Sequence, residues 1–286
     1  MLVLPRIGRD LYKRIPRPPV LFIHGLCLAS NIWEEWCARF ESARYECVAP
    51  PWPGRNKSVE ELRERPPEDL AELTFDDVLE SYVAAAEALP VKPLIVGHSI
   101  GGLITQLLIE RGLGVAGVAI ASTPPRGPSN AVPSSLISDW AVLNPGSALL
   151  HPYMMPFEAF QYAYANDMTP FAQQRAYEMY VLPESLRVAR GSLMESASVD
   201  FQSTHAPLLF VAAEGDRTTS SRMNISIVED YLAGSSSVTD LQMFGGRGHL
   251  GILVGRDWEL VADGVMAWMD RRMREARAED VDLTRN

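Results

Sequence analysis

The sequence predicts an α/β fold, with a mostly parallel central sheet flanked by helices and interrupted by one helical insertion. Three observations carry that expectation. Short apolar, β-branched runs alternate with helical patterns from residue 20 to residue 121, and parallel neighbours need such crossover connections. The alternation stops over 124–203, where helical patterns follow one another and no β-branched run reaches strand length. It resumes at residue 207 and continues to the last helix. The expected organisation is a core of residues 1–123 and 204–286 with a helical cap insertion over 124–203.

Residues 1–19 are basic and punctuated by proline, with 2–4 and 11–15 as candidate short edge strands. Val20-Leu21-Phe22-Ile23 is a continuous apolar run, the pattern of a strand buried on both faces, and it ends in His24-Gly25. A loop over 26–30 leads to a helix over 31–42, with Ile32, Trp33, Trp36 and Phe40 at helical spacing and Ser30 or Asn31 as its cap. Residues 45–49 read as the next strand. They run into Pro50-Pro51-Trp52-Pro53-Gly54-Arg55, too rich in proline for either regular element. This loop follows a strand end, where open α/β sheets place ligands, so Trp52 is a pocket candidate beside the simpler reading that it packs against the prolines. The acidic stretch 59–73 reads as a solvated excursion. Thr74 then caps a helix to residue 89, with Asp76 and Asp77 in the first turn, where the helix dipole favours negative charge.

Leu94-Ile95-Val96 is the next strand, a helix follows over 103–111, and residues 115–121 form a further β-branched run. The insertion carries helical patterns at 134–143, 156–166, 171–180 and 184–195. It holds ten of the 24 aromatic residues and five of the 11 methionines, an excess that predicts an apolar inner face shared between packing and substrate. Beyond it come a strand over 207–213, a helix over 222–232, a strand over 238–243 and an amphipathic helix over 257–274. The charged final dozen residues are expected to fray.

A net charge of −10 argues against a nucleic-acid surface, because phosphate binding needs a basic face. Cys27, Cys37 and Cys47 match neither a CxxC pair nor a zinc ligand set, so reduced thiols in a cytoplasm are expected, with no metal and no cofactor. The N-terminus lacks the long apolar core of a signal peptide, and no apolar stretch reaches the length of a membrane span.

Chemistry concentrates in Gly97-His98-Ser99-Ile100-Gly101-Gly102, between a predicted strand and a predicted helix. A serine at the apex of such a turn is held in strained backbone angles with its hydroxyl projecting clear of both elements. Gly97 and Gly101 stand where a β-carbon would collide as strand and helix fold back. The helix begins behind the serine, so the Ile100 N–H points to where negative charge develops on a substrate oxygen. Nucleophilic serine needs a base and an acid to orient it, and each candidate lies just past a predicted strand. Ser99, Asp216 and His249 occur in that order, and parallel strands carry all three to one rim of the sheet. His249 is the histidine on a glycine-flanked loop after the last strand, whereas His24 and His98 sit at strand ends. Glu214 competes with Asp216, because alternate residues of a strand share a face.

At this point the chain resembles the α/β-hydrolase fold family over nearly its whole length, on His24-Gly25, the elbow at Gly97 to Gly102, Asp216 and Gly248-His249. The resemblance implies a catalytic triad of Ser99, Asp216 and His249 and an oxyanion hole built from the backbone N–H groups of Leu26 and Ile100. The chain departs from the family pattern at Ala213, which stands in the glycine position of the acid's turn, and at Pro51 to Asn56. A serine nucleophile argues against the carboxylate-dependent dehalogenase and epoxide hydrolase chemistries. The implied activity is hydrolysis of an apolar small-molecule ester, thioester or lactone through an acyl-Ser99 intermediate. The alternatives are a carbon–carbon bond hydrolase or lyase on the same triad, and a non-catalytic ligand-binding member.

Overall fold

The computed structural model describes residues 17–127 and 151–283, in which six strands form one sheet with every neighbouring pair parallel. The strands are β1 (Val20–Ile23), β2 (Cys47–Val48), β3 (Leu94–His98), β4 (Ala116–Ile120), β5 (Leu208–Ala213) and β6 (Thr239–Phe244), in the spatial order β2-β1-β3-β4-β5-β6. β1, β3, β4 and β5 are buried at every residue, which is why they read as unbroken apolar runs. β2 is shorter than the predicted 45–49. Pro50 and Pro51 follow it and have no N–H to continue a ladder. The chain leaves β1 for β2 on one side and returns for β3 on the other, which opens a crevice at the carboxyl ends of β1 and β3.

Helices cover the sheet. A 3₁₀ turn (Ser30–Trp33) leads into α1 (Glu34–Ser42), whose Trp36 and Phe40 are buried. Neither Ser30 nor Asn31 caps it. Ala29 holds the capping position of the 3₁₀ turn and Trp33 that of α1, both without a side-chain bond, and the Asn31 amide instead donates to the Met179 carbonyl at 3.0 Å. The stretch read as a solvated excursion folds into α2 (Val59–Glu64) and a 3₁₀ turn (Leu70–Glu72), burying Val59, Leu62, Leu70 and Ala71. Ser58 and Glu61 form a capping box on α2, a local signal worth about 1 kcal/mol. Thr74 caps α3 (Phe75–Glu87) as the sequence predicts, and with Asp77 it forms a second capping box. α4 (Ile100–Glu110) is buried from Ile100 through Ile109, so its apolar residues run all round rather than along one stripe.

Between β4 and β5, residues 151–203 add no strand to the sheet and carry α5 (Phe157–Ala163), α6 (Pro170–Tyr180) and α7 (Leu186–Gly191). They are tied to the strand layer by backbone bridges at Leu28 with Val181 and Arg126 with Ser198. After β5 come α8 (Ser221–Gly234), a short α9 (Gly251–Val254) and α10 (Trp258–Leu283). α10 runs nine residues past the predicted end at Arg274 instead of fraying there. The predicted strands at 2–4 and 11–15 and the helical pattern at 134–143 lie outside the described residues. Among the described helices, none is long and apolar enough to cross a membrane.

Candidate active site

The parallel strands β1, β3, β5 and β6 end at one rim of the sheet, where Leu26, Ser99, Asp216 and His249 follow them, and among the described residues no hydrogen bond joins Ser99 Oγ to His249 Nε2. Ser99 follows β3 with φ 59° and ψ −119°, a left-handed backbone that a non-glycine residue holds only when its surroundings enforce it. The enforcing contacts are close. A β-carbon on Gly97 would lie 1.9 Å from the Gly101 carbonyl oxygen, and one on Gly101 would lie 2.2 Å from the Ile23 carbonyl oxygen. Gly97 therefore lets strand and helix fold back, whereas Gly101 lets α4 approach β1. The Ser99 N–H donates to the Ile120 carbonyl at 3.0 Å, and its own carbonyl accepts the N–H groups of Gly102 and Thr123. Among the described residues, the N–H groups of Ile100 and Leu26 donate to no partner, and both residues flank the crevice between β1 and β3.

Asp216 and His249 are in direct contact. His249 Nδ1 lies 2.8 Å from Asp216 Oδ2, with both side chains fully buried. A carboxylate only accepts, so Nδ1 is the donor of this pair, and in the neutral ring Nε2 keeps its lone pair. His249 Nε2 has no partner among the described residues. Asp216 is placed by its own turn. Its N–H closes on the Ala213 carbonyl at 3.3 Å, so the turn forms with alanine in the family's glycine position, where no positive φ is required. Oδ1 accepts the N–H groups of Thr218 and Thr219 at 2.7 and 2.8 Å, and the Thr219 hydroxyl lies 2.9 Å from Oδ2. Glu214, the competing carboxylate, is exposed beside Gly245.

His24 and His98 sit at the same rim but are committed elsewhere. His98 Nε2 donates to the His249 carbonyl at 2.8 Å and so holds the loop that carries His249. His24 Nδ1 donates to the Gly25 carbonyl at 3.0 Å, and its ring stacks on Trp52 with centroids 4.8 Å apart. Trp52 is wholly buried, so it packs rather than lining a pocket. Burial lowers the His24 pKa from its ordinary value of 6.5 to about 3, with the Arg55 charge acting in the same direction. Burial, and then the neighbouring His249, holds His98 well below the ordinary value.

Those two buried neutral histidines predict acid lability. Between about pH 6.5 and the depressed native values, the unfolded chain binds a proton at each site that the folded chain does not, so stability rises with pH there and is lost as pH falls. At about 1.4 kcal/mol per pH unit, His24 alone costs about 2 kcal/mol at pH 5, and His98 adds to that cost in the same direction. Urea unfolding at about pH 7.5 and about pH 5 checks this. An unchanged midpoint would contradict neutral burial.

Sequence reasoning missed three partners of the site. Thr219, two positions past the Asp216-Arg217 pair, is the one with a local signal, since an aspartate followed by Thr-Thr is the composition of a side-chain-capped turn. Tyr164 meets the His249 ring edge-on at a centroid distance of 4.9 Å, and Glu184 is fully buried against Arg55. Both lie in the helical segment, far in sequence from Ser99, Asp216 and His249. The predicted apolar face of the insertion is partly an internal cluster, with Phe157, Phe160 and Tyr177 packed on one another. Among the described residues, no group of three or more His, Cys, Asp or Glu could hold a metal ion, and Cys27, Cys37 and Cys47 are free thiols.

Residues 20–263 match the model of a family described as the alpha/beta hydrolase family. Solved structures with similar folds include tomato methylketone synthase I complexed with 2-tridecanone, at 14% identity and a TM-score of 0.66 over 90% of this chain and 100% of that one. A monoacylglycerol lipase of Paleococcus ferrophilus aligns at 18% identity and a TM-score of 0.64, over 88% of this chain and 94% of that one. A methylesterase from Arabidopsis aligns at 14% identity and a TM-score of 0.63, over 88% of this chain and 99% of that one. At these identities the likeness is one of fold. No curated protein matches the chain.

Proposed function

Because the chain belongs to the alpha/beta hydrolase family, we propose that it hydrolyses a carboxylic ester, thioester or lactone through an acyl-Ser99 intermediate. One observation carries the reading. His249 is buried with Nδ1 committed to Asp216 and Nε2 free, at the rim where the strained Ser99 is presented. In this mechanism Nε2 takes the Ser99 proton as Oγ attacks the substrate carbonyl, and Asp216 stabilises the imidazolium that forms. The N–H groups of Ile100 and Leu26 receive the developing oxyanion. His249 returns the proton to the leaving alcohol or thiol, then activates a water that releases the acid and restores Ser99.

Tyr164 walls His249 and Leu26 borders the same crevice, which supports an apolar acyl group. The test is a panel of aryl and thiol esters of increasing acyl length, read as kcat/KM from about pH 5 to about pH 8. The expected result is a preference for longer or aromatic acyl groups over acetate, with an acid limb that follows one ionisation. Burial keeps His24 neutral across that range and holds His98 well below its ordinary value, which argues against either as the source of the limb. His249→Ala is expected to lose turnover by several orders of magnitude while binding a product acid normally. A wild-type chain that binds such acids and turns over no ester, thioester or lactone would overturn the hydrolytic reading in favour of a ligand-binding one.

A further inference from the structure

The loop that carries the Leu26 N–H is held from the helical segment, and chiefly by one buried side chain. Cys27, next to Leu26, has φ 59°, a left-handed backbone that costs energy in a residue with a β-carbon. Four bonds from the segment offset that cost. Leu182 N donates to the Cys27 carbonyl at 2.9 Å, Ala29 N donates to the Tyr180 carbonyl at 2.8 Å, and the Tyr164 hydroxyl donates to the Leu26 carbonyl at 3.3 Å. The fourth is a side chain, with Cys27 N donating to Glu184 Oε2 at 3.2 Å.

Glu184 is fixed on every side. Oε1 accepts the Ser185 N–H at 2.8 Å and the Arg55 guanidinium, and the Glu184 backbone exchanges two hydrogen bonds with Tyr153. The Glu184 and Arg55 side chains are 0% and 2% exposed, so this is an ion pair taken wholly out of water. A pair of apolar residues would satisfy packing at lower desolvation cost. What an apolar pair cannot supply is an acceptor for three converging donors, one of which is the Cys27 N–H.

That N–H belongs to the peptide joining Leu26 to Cys27, so fixing it fixes the backbone on which the Leu26 N–H is carried. It also removes the Cys27 N–H as a competing donor. We propose that Glu184, held by Arg55, is a positioning residue for the oxyanion hole, setting the loop so that the Leu26 N–H and not the Cys27 N–H faces the reacting carbonyl oxygen. The inference rests on the acyl-Ser99 reading and makes the helical segment a structural part of the transition-state site rather than only its cover.

The test compares Glu184→Gln and Glu184→Asp with wild type. Glu184→Asp keeps the charge that Arg55 needs but is one methylene too short to reach both Arg55 and Cys27, so it serves where Glu184→Gln fails to fold. Glu195→Gln removes a carboxylate from an exposed pair with Arg126 and is the control, with wild-type turnover expected. In folded Glu184 variants kcat is expected to fall about 10–100-fold, with KM changed by less than about threefold, since a displaced donor acts on the transition state and not on ground-state binding. Affinity for an arylboronic acid, which forms a tetrahedral adduct on serine, should fall in parallel. Amide hydrogen exchange at 26–28 should quicken while β3 and β5 keep their protection. A folded Glu184→Asp with wild-type kcat and boronate affinity, or with unchanged exchange at 26–28, overturns the inference and leaves the hydrolytic reading standing. A wild-type chain with no ester turnover and no boronate adduct overturns both.

Discussion

Ser99→Ala is expected to abolish ester turnover, by about 10⁴-fold or more, and to remove all labelling by a fluorophosphonate probe. The reason lies in the backbone as much as in the hydroxyl. Ser99 occupies the strained apex of the turn after β3, and alanine fits that apex as serine does, so fold and binding should be retained. The other described serines with buried hydroxyls are tied to neighbours. Ser122 Oγ donates to the Thr123 carbonyl at 3.0 Å, and Ser185 Oγ donates to the Leu73 carbonyl at 2.7 Å. Mass spectrometry of the labelled wild type checks the site and stoichiometry, and a progress curve checks turnover. A Ser99→Ala chain that still labels, or still turns over at the wild-type rate, excludes the acyl-enzyme route.

Asp216→Asn is expected to lower kcat by about 10⁴-fold, and the local bonds say why. Oδ1 of Asp216 accepts two backbone N–H groups, from Thr218 and Thr219, so in the variant the amide oxygen must take that position. The amide NH₂ is then turned to His249 Nδ1. A donor facing Nδ1 moves the imidazole proton to Nε2, and the histidine can no longer accept the Ser99 proton. The tautomer is readable from the ring ¹⁵N shifts of His249, independently of rate. Glu214→Gln, at an exposed position two residues upstream, should stay within about twofold of wild type. The reverse pattern would move the acid to Glu214 and leave Ser99 and His249 in their places.

What the sequence determined by itself was whatever is local or fixed by chain order. Apolar runs such as 20–23 and 94–96 are strands because a strand covered on both faces has no polar alternation to show. The elbow is legible because the turn leaves no room for a β-carbon at Gly97 or Gly101. Ser99, Asp216 and His249 could be set on one rim because consecutive parallel strands all end there. A two-residue period cannot separate Asp216 from Glu214, and the contacts that set Asp216 apart come from Thr219 in its own turn and from His249, on a distant segment brought in by folding. Only the tertiary structure drew His24 and His98 into backbone bonds, and it buried one face of 59–73, whose acidic composition reads as solvated. The Arg55 to Glu184 pair spans 129 residues of sequence. Local periodicity carries no trace of such a pair, because only the folding of the helical segment over the β1 loop takes the two charges out of water together.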